Sequence, residues 1–228
     1  MKLIPTYSLL GVAAIVAATP NSPALSLTLS EPGFAPLVIA DGAALDAASS
    51  VAGSIAFVGS YGSYVFQSAT GSGLGLIGSS TAPILGLGNT TVSVGLGASP
   101  LTVTLMDSGF AAGSYDFTSD INGTMAAHSV SFSTYADGTL LSTYTSPSGP
   151  FASGNLAAFH SAASDFVLKL EAIISQPFGG LTLFDANIVG TPSAVPPPSV
   201  PEAGSTGAML ALAVVALSRV KRLKQARH

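Results

Sequence analysis

The sequence has no cysteine and no tryptophan, and few of its 228 residues carry a charge. Without cysteine, disulfide frameworks, cysteine-based metal sites and thiol chemistry are all excluded. Charged residues make up 8% of the chain and apolar residues 48%, which is not the composition of a charge-rich disordered protein. We therefore expect a folded domain whose function does not depend on thiols.

Positive charge is nearly absent from the middle of the chain. Between residues 27 and 200, one lysine faces ten acids, which gives this part a formal charge of −9. The lysine is Lys169, and the acids are Glu31, Asp41, Asp46, Asp107, Asp116, Asp120, Asp137, Asp165, Glu171 and Asp185. Because a domain with one cation cannot neutralise a phosphate backbone, the charge pattern argues against nucleic acid as a partner.

The first residues have the composition of a secretion signal. Lys2 precedes the apolar run YSLLGVAAIVAA, and small residues with two prolines follow it. This order predicts a signal peptide over residues 1–26 that is cut before Leu27, or alternatively after Ala18. The other interpretation is an uncut anchor helix, although the apolar run is short for a membrane span and the prolines interrupt a helix.

The last residues combine an uncharged segment with a basic end. Residues 203–218 would form a helix of about 24 Å at ~1.5 Å per residue, somewhat short of a ~30 Å hydrocarbon layer. The basic end contains Arg219, Lys221, Arg222, Lys224 and Arg227. The positive-inside rule then predicts that residues 219–228 are cytoplasmic and that the acidic domain lies outside. A permanent stop-transfer anchor and a surface helix of a soluble protein are the alternatives.

A short polar tag stands in front of this segment. It consists of Val200, Pro201 and Glu202, followed after one residue by Gly204, Ser205 and Thr206. The order of tag, apolar segment and basic end resembles the C-terminal sorting signal of bacterial PEP-CTERM proteins. The commonest form has a second proline where this chain has Ala203, and the Gly-Ser-Thr run is similar to the related VPDSG-CTERM tail. The exosortase subtype therefore stays open.

The resemblance implies a route through the cell envelope of a Gram-negative bacterium. Signal peptidase and an exosortase would be processing partners, and the C-terminal helix would hold the chain in the inner membrane until the motif is cut. The protein would then reach the cell surface or the extracellular matrix of a biofilm, with exopolysaccharide as a possible partner. Residues 192–202, which include PSAVPPPSV, are expected to form a stiff proline-rich stalk that carries the motif.

Residues 27–191 have an apolar period of two, which is typical of β-strands. Strands are predicted over residues 25–30, 36–41, 54–60, 63–69, 90–96, 101–110, 128–146, 165–174 and 181–190, the seventh range being a hairpin that turns at Asp137-Gly138. About nine short strands with frequent turn residues predict an all-β fold, an antiparallel β-sandwich. Helix is expected only at the signal peptide and the transmembrane segment, with a short turn near residues 155–163. The strand pattern also resembles the extracellular part of PEP-CTERM proteins, a class without an assigned enzymatic activity.

Two local motifs are candidates for binding sites. Residues 73–78, GLGLIG, match a dinucleotide-binding pattern, but the following sequence is not helical and lacks the required acid, so a glycine-rich loop is predicted. Asp116, Asp120 and Asn122 are candidates for a calcium loop, although they do not follow the EF-hand pattern and turn-forming or solvated roles are preferred.

The sequence contains no recognisable catalytic motif. His128 falls in the alternating pattern of a strand, His160 has no partner nearby in the sequence, and no Gly-x-Ser-x-Gly elbow is present. We therefore predict no catalytic, cofactor-binding or metal-binding residue and a non-catalytic surface protein. The runner-up is a surface carbohydrate-binding module whose aromatic platform would use Tyr61, Tyr64, Tyr115, Tyr135 and Tyr144. The third interpretation of the function is an enzyme of the hydrolase class.

Overall fold

The chain folds into two antiparallel β-sheets, as seen in a computed structural model that describes residues 25–126, 129–154 and 156–193. The six-stranded sheet contains, in spatial order, β2 (Leu37–Ala40), β1 (Ser26–Ser30), β6 (Leu101–Phe110), β12 (Phe166–Ser175), β8 (Ser129–Ala136) and β9 (Thr139–Ser146). The seven-stranded sheet contains β10 (Gly149–Ala152), β7 (Gly113–Met125), β13 (Phe178–Pro192), β5 (Ile84–Leu96), β4 (Tyr64–Ser72) and β3 (Ser54–Tyr61), and β11 (Leu156–Ala162) also pairs with β7. The predicted all-β class is confirmed, although the described residues hold thirteen strands rather than about nine.

Alternating burial explains why these segments form strands. In β12, the side chains of Phe166, Leu168 and Leu170 are buried, while Val167 and Lys169 between them are partly exposed. Because successive residues of a strand point to opposite faces, this alternation gives each sheet one apolar face and one that meets solvent. The apolar faces must therefore be covered by another layer.

The two sheets cover each other's apolar faces and share one core. Phe166, from the six-stranded sheet, has its ring centroid 5.3 Å from that of Tyr115 and 6.2 Å from that of Phe117, both in the seven-stranded sheet. The hydroxyls of Ser119 in β7 and Thr134 in β8 also form a buried hydrogen bond of 3.2 Å between the sheets. These contacts give the domain the layered arrangement of a β-sandwich.

The predicted hairpin at Asp137-Gly138 is confirmed between β8 and β9. Both turn residues have positive φ, 47° for Asp137 and 74° for Gly138. This is the backbone requirement of a type I′ turn, whose twist matches that of the paired strands.

Three strands, β7, β10 and β11, were not predicted as such. The expected short turn near residues 155–163 is wrong, because Leu156–Ala162 forms β11 and pairs along its whole length with β7. Its side chains alternate between partly buried and exposed positions, so pairing with a sheet edge overrides the weak strand preference of its alanines.

The chain divides into two compact units, Met1–Pro192 and Ser193–His228. The sheets belong to the first unit, and only Ser193 of the second lies among the described residues. The predicted signal helix at residues 1–26 lies outside them except for its last two residues, which are not helical, because Leu25 is buried in the core and Ser26 begins β1. The predicted transmembrane segment at residues 203–218 lies entirely outside them. Within the part of the chain that is described, no helix has the length and apolarity to cross a bilayer.

Candidate functional site

The residues predicted for sorting lie outside the described part of the chain. This applies to the motif at residues 200–206 and to the basic cluster at residues 219–227. His128 is also outside it. These assignments stay predictions from the sequence.

The glycine-rich segment at residues 73–78 lies in the loop that joins β4 to β5. A strand follows it instead of the helix that a dinucleotide site requires. The prediction of a glycine-rich loop is therefore confirmed.

The candidate calcium-loop residues are part of a strand. Asp116, Asp120 and Asn122 lie on β7 at alternate positions that face away from the core, while Phe117 and Ile121 between them are buried. A strand spreads such side chains along its outer face, so the calcium loop and the turn are wrong, whereas the solvated role agrees with the exposure of Asp116 and Asn122. Among residues 25–126, 129–154 and 156–193, no three acidic or histidine side chains are placed to hold a metal ion.

The predicted tyrosine platform is wrong because three of its five rings are in the core. Tyr61, Tyr64 and Tyr115 are 7%, 0% and 3% exposed. The Tyr64 hydroxyl donates a hydrogen bond of 2.7 Å to the Ser99 carbonyl, and burial, together with the nearby Glu31 carboxylate, raises its pKa to about 12. A buried tyrosine cannot offer its face to a sugar ring.

The two other tyrosines are only partly exposed. The Lys169 ammonium lies 3.8 Å from the ring centre of Tyr135, and Tyr144 packs against the core. The five tyrosines therefore do not form one exposed surface.

His160 has a partner that is distant in sequence. Its Nε2 atom lies 3.8 Å from Oδ2 of Asp137, and its ring centroid is 5.6 Å from that of Phe166 and 6.5 Å from that of Phe117. The side chain is 11% exposed. The ring therefore closes the edge of the core, where aromatic contacts hold it.

Three acids are buried, and none of them forms an ion pair with another described residue. Glu31, Asp46 and Asp107 are 2%, 3% and 1% exposed, and each accepts hydrogen bonds from backbone N–H groups. Asp46 receives three such bonds, from Gly42, Ala48 and Ala56. Hydrogen bonds to a carboxylate are stronger than neutral ones, so these acids organise the loops around them.

A groove on the outer face of the seven-stranded sheet is the strongest candidate for a binding site. We call it the outer groove; its volume is about 330 Å³. The floor is formed by Gly86 and Gly88 of β5, which occupy outward positions and have no side chain to fill the space. The surface is thus recessed between β4 on one side and β13 with β7 on the other.

Strand register brings the polar walls of the outer groove together. Asn187 pairs with Asp120, and Asp185 pairs with Asn122, so two carboxylates and two amides stand side by side. On the opposite side of the floor, Thr70 of β4 pairs with Gly88. Directly opposed side chains in a sheet are ~4.5–5.5 Å apart at Cβ, which lets the four polar groups act on one ligand.

Internal hydrogen bonds fix the polar groups of the outer groove. Asp185 accepts a hydrogen bond of 2.6 Å from the backbone N–H of Asn89, which has a φ of 48° at an irregularity in the strand pairing. Burial raises the pKa of Asp120, and a hydrogen bond from the Asn187 side chain partly offsets this effect. The groove is therefore built before any ligand arrives.

Sequence reasoning did not find the outer groove. Its walls come from four strands between Thr70 and Asn187, and only their pairing brings them together. The one signal available was the pair of glycines in the run ILGLGN, because an interior strand glycine often marks a bulge or the close approach of a ligand.

Comparisons with known proteins give no family for this chain. No protein-family description and no curated protein matches it. Four chains of solved structures match, among them an acetyl xylan esterase, Est2A, from the rumen bacterium Butyrivibrio proteoclasticus. That likeness has 16% identity and a TM-score of 0.25, and it covers 57% of this chain and 35% of the esterase chain.

Proposed function

We propose that this chain is an exported, exosortase-sorted and non-catalytic protein of the cell surface or extracellular matrix of a Gram-negative bacterium. The observation that carries the proposal is the tail, in which Val200, Pro201 and Glu202 precede an uncharged segment and a basic end. Each of the three parts has a separate physical role, and together they resemble the PEP-CTERM sorting signal.

The proposed mechanism is a sequence of processing steps. Signal peptidase first removes the signal peptide, before Leu27 or at the alternative site after Ala18, which leaves Leu25 in the core and β1 whole. Residues 203–218 meanwhile hold the chain in the inner membrane with the basic end inside. The proline-rich residues 192–202 keep the motif accessible in front of the membrane. An exosortase then cuts near Pro201 and Glu202, and the domain leaves without its tail.

The charge of the domain supports a role outside the inner membrane. Its single lysine, Lys169, forms an ion pair of 3.0 Å with Glu171, so little positive charge is left to attract anionic lipids. Long-range repulsion therefore keeps a domain of formal charge −9 away from the membrane surface once its anchor is gone.

A replacement of the motif tests the sorting step. Cells would express the chain with residues 200–202 changed to alanine, beside a control chain with residues 195–197 changed to alanine in the stalk. We expect the first chain to accumulate in the inner-membrane fraction and the control chain to reach the surface or the medium like the wild type. Equal distribution of both chains would contradict an exosortase motif at residues 200–202.

Carbohydrate binding stays the second candidate, but on a different basis. The buried tyrosines no longer support it. The outer groove, with its paired carboxylates and amides, is the observation that favours it.

A further inference from the structure

The floor glycines of the outer groove are not required by the fold. Neither Gly86 nor Gly88 has a positive φ, and a Cβ atom added at Gly88 would meet only Oγ1 of Thr70 at 3.5 Å and Oδ1 of Asp185 at 3.6 Å. At Gly86 the nearest atom would be the flexible end of Ile77, at 3.3 Å. An interior strand glycine often marks the close approach of a ligand, and these two leave the floor between the polar walls open.

The walls of the outer groove require a ligand that donates hydrogen bonds. The carboxylates of Asp120 and Asp185 only accept, whereas the amides of Asn122 and Asn187 both donate and accept. Adjacent hydroxyl groups on a ring match such a set, because each hydroxyl donates to one wall group and accepts from another. A ligand that matches this set of groups is rich in hydroxyls.

Charge excludes the anionic members of that class. The only cation among the described residues, Lys169, lies on the other sheet and is paired with Glu171. A phosphate, sulfate or uronate would meet two carboxylates with no positive charge to compensate. A neutral ligand avoids this repulsion.

Apolar side chains flank the polar walls. Ile77 lies over one end of the floor and is 41% exposed, and Leu183, two residues before Asp185 on the same face of β13, is 40% exposed. These side chains can cover the C–H face of a sugar ring. The volume of about 330 Å³ is at the lower end of the roughly 300–1,000 Å³ of small-molecule sites.

From these features we infer that the outer groove binds neutral saccharide, one or two residues of a polysaccharide chain at a time, with Asp185 and Asn122 holding adjacent hydroxyls. The inference adds a binding activity to the proposed surface role. It does not depend on cleavage at residues 200–202, so sorting and binding can fail separately.

The test measures binding of defined oligosaccharides to the full chain purified in detergent. The probes are neutral gluco-, xylo-, manno- and galacto-oligosaccharides, uronic-acid oligosaccharides, and Ca²⁺ alone, each followed by calorimetry. Gly88→Val fills the floor of the outer groove, and Gly95→Val is its matched control on the same strand, where an added Cβ meets nothing within 4 Å. Asp185→Asn removes one carboxylate, and Asp165→Asn removes an exposed acid outside the groove.

We expect at least one neutral oligosaccharide to bind, with affinity lowered at least about tenfold by Gly88→Val and by Asp185→Asn and unchanged by both controls. If Gly88→Val unfolds the domain, Asn122→Ala takes its place, because that side chain is exposed. The inference is overturned if no neutral oligosaccharide binds, if binding survives both groove variants, if uronic-acid probes bind equally well, or if only Ca²⁺ binds.

Discussion

Replacing Thr182, a buried residue of β13, with valine should stabilise the domain. Thr182 is 0% exposed, and its hydroxyl has no hydrogen-bond partner among the described residues. Burying a hydroxyl without a partner costs about 1–3 kcal/mol, and valine has nearly the same shape with a methyl group in that place. We therefore expect Thr182→Val to raise the free energy of unfolding by about 1–2 kcal/mol, or ~2–8 °C in Tm for a domain of this size.

Thr134 provides the matched control for this prediction. It is equally buried, but its hydroxyl is 3.2 Å from that of Ser119 and 2.7 Å from that of Ser142. Thr134→Val breaks both hydrogen bonds and leaves the buried Ser119 hydroxyl without this partner, so we expect a loss of about 1–3 kcal/mol.

Guanidinium unfolding followed by far-ultraviolet circular dichroism measures both variants, since the chain has no tryptophan for fluorescence. The two identical chemical changes should shift stability in opposite directions. If both variants lose stability by similar amounts, the hydroxyl of Thr182 is bonded in the folded protein and the reasoning is refuted.

Three further predictions concern a core aromatic ring, a crowded glycine and a buried acid. Phe166→Ala should cost about 3–5 kcal/mol in guanidinium unfolding, because the ring is 1% exposed and joins the two sheets; a loss below 1 kcal/mol would contradict the shared core. Gly123→Ala should cost at least about 1–3 kcal/mol, since its Cβ would lie 2.1 Å from the backbone oxygen of Leu183, whereas Gly95→Ala should be close to neutral. Burial raises the pKa of Asp107, so the folded state holds the proton of this carboxyl more tightly than the unfolded chain does. The contribution of this proton to the free energy of unfolding is complete below the unfolded pKa and is lost as pH rises through the folded pKa. Unfolding measured at a series of pH values upwards from the unfolded pKa should show this decline in the wild type and a flatter profile in Asp107→Asn.

The sequence predicted the strands whose polar faces have strand-forming residues, and it missed β7, whose polar face resembles a turn. In β7 the buried side chains of Tyr115, Phe117 and Ile121 alternate as a strand requires, but aspartate and asparagine between them are typical of loops. Pairing with β13 along eleven positions overrides that local preference. Local propensity alone therefore does not predict β7, although this strand lies inside the sheet.

The outer groove could not be predicted because it depends on register. Asp185 lies at an irregularity in the pairing of β13 with β5, opposite Asn89 with its positive φ. A shift of one residue in either strand would turn these side chains to the other face. The sequence contains the residues, but only the paired sheet sets which of them meet.

The mass of the mature protein tests the central claim most directly. Intact-mass analysis would compare protein recovered from cells and medium of a strain with its exosortase and of a strain without it. The account predicts that the mature protein from the first strain begins at Leu27, or at Thr19 if the alternative signal site is used, and ends near Pro201 or Glu202, and that the second strain retains the tail. Recovery of a mature protein that extends to His228 in the presence of the exosortase would contradict it.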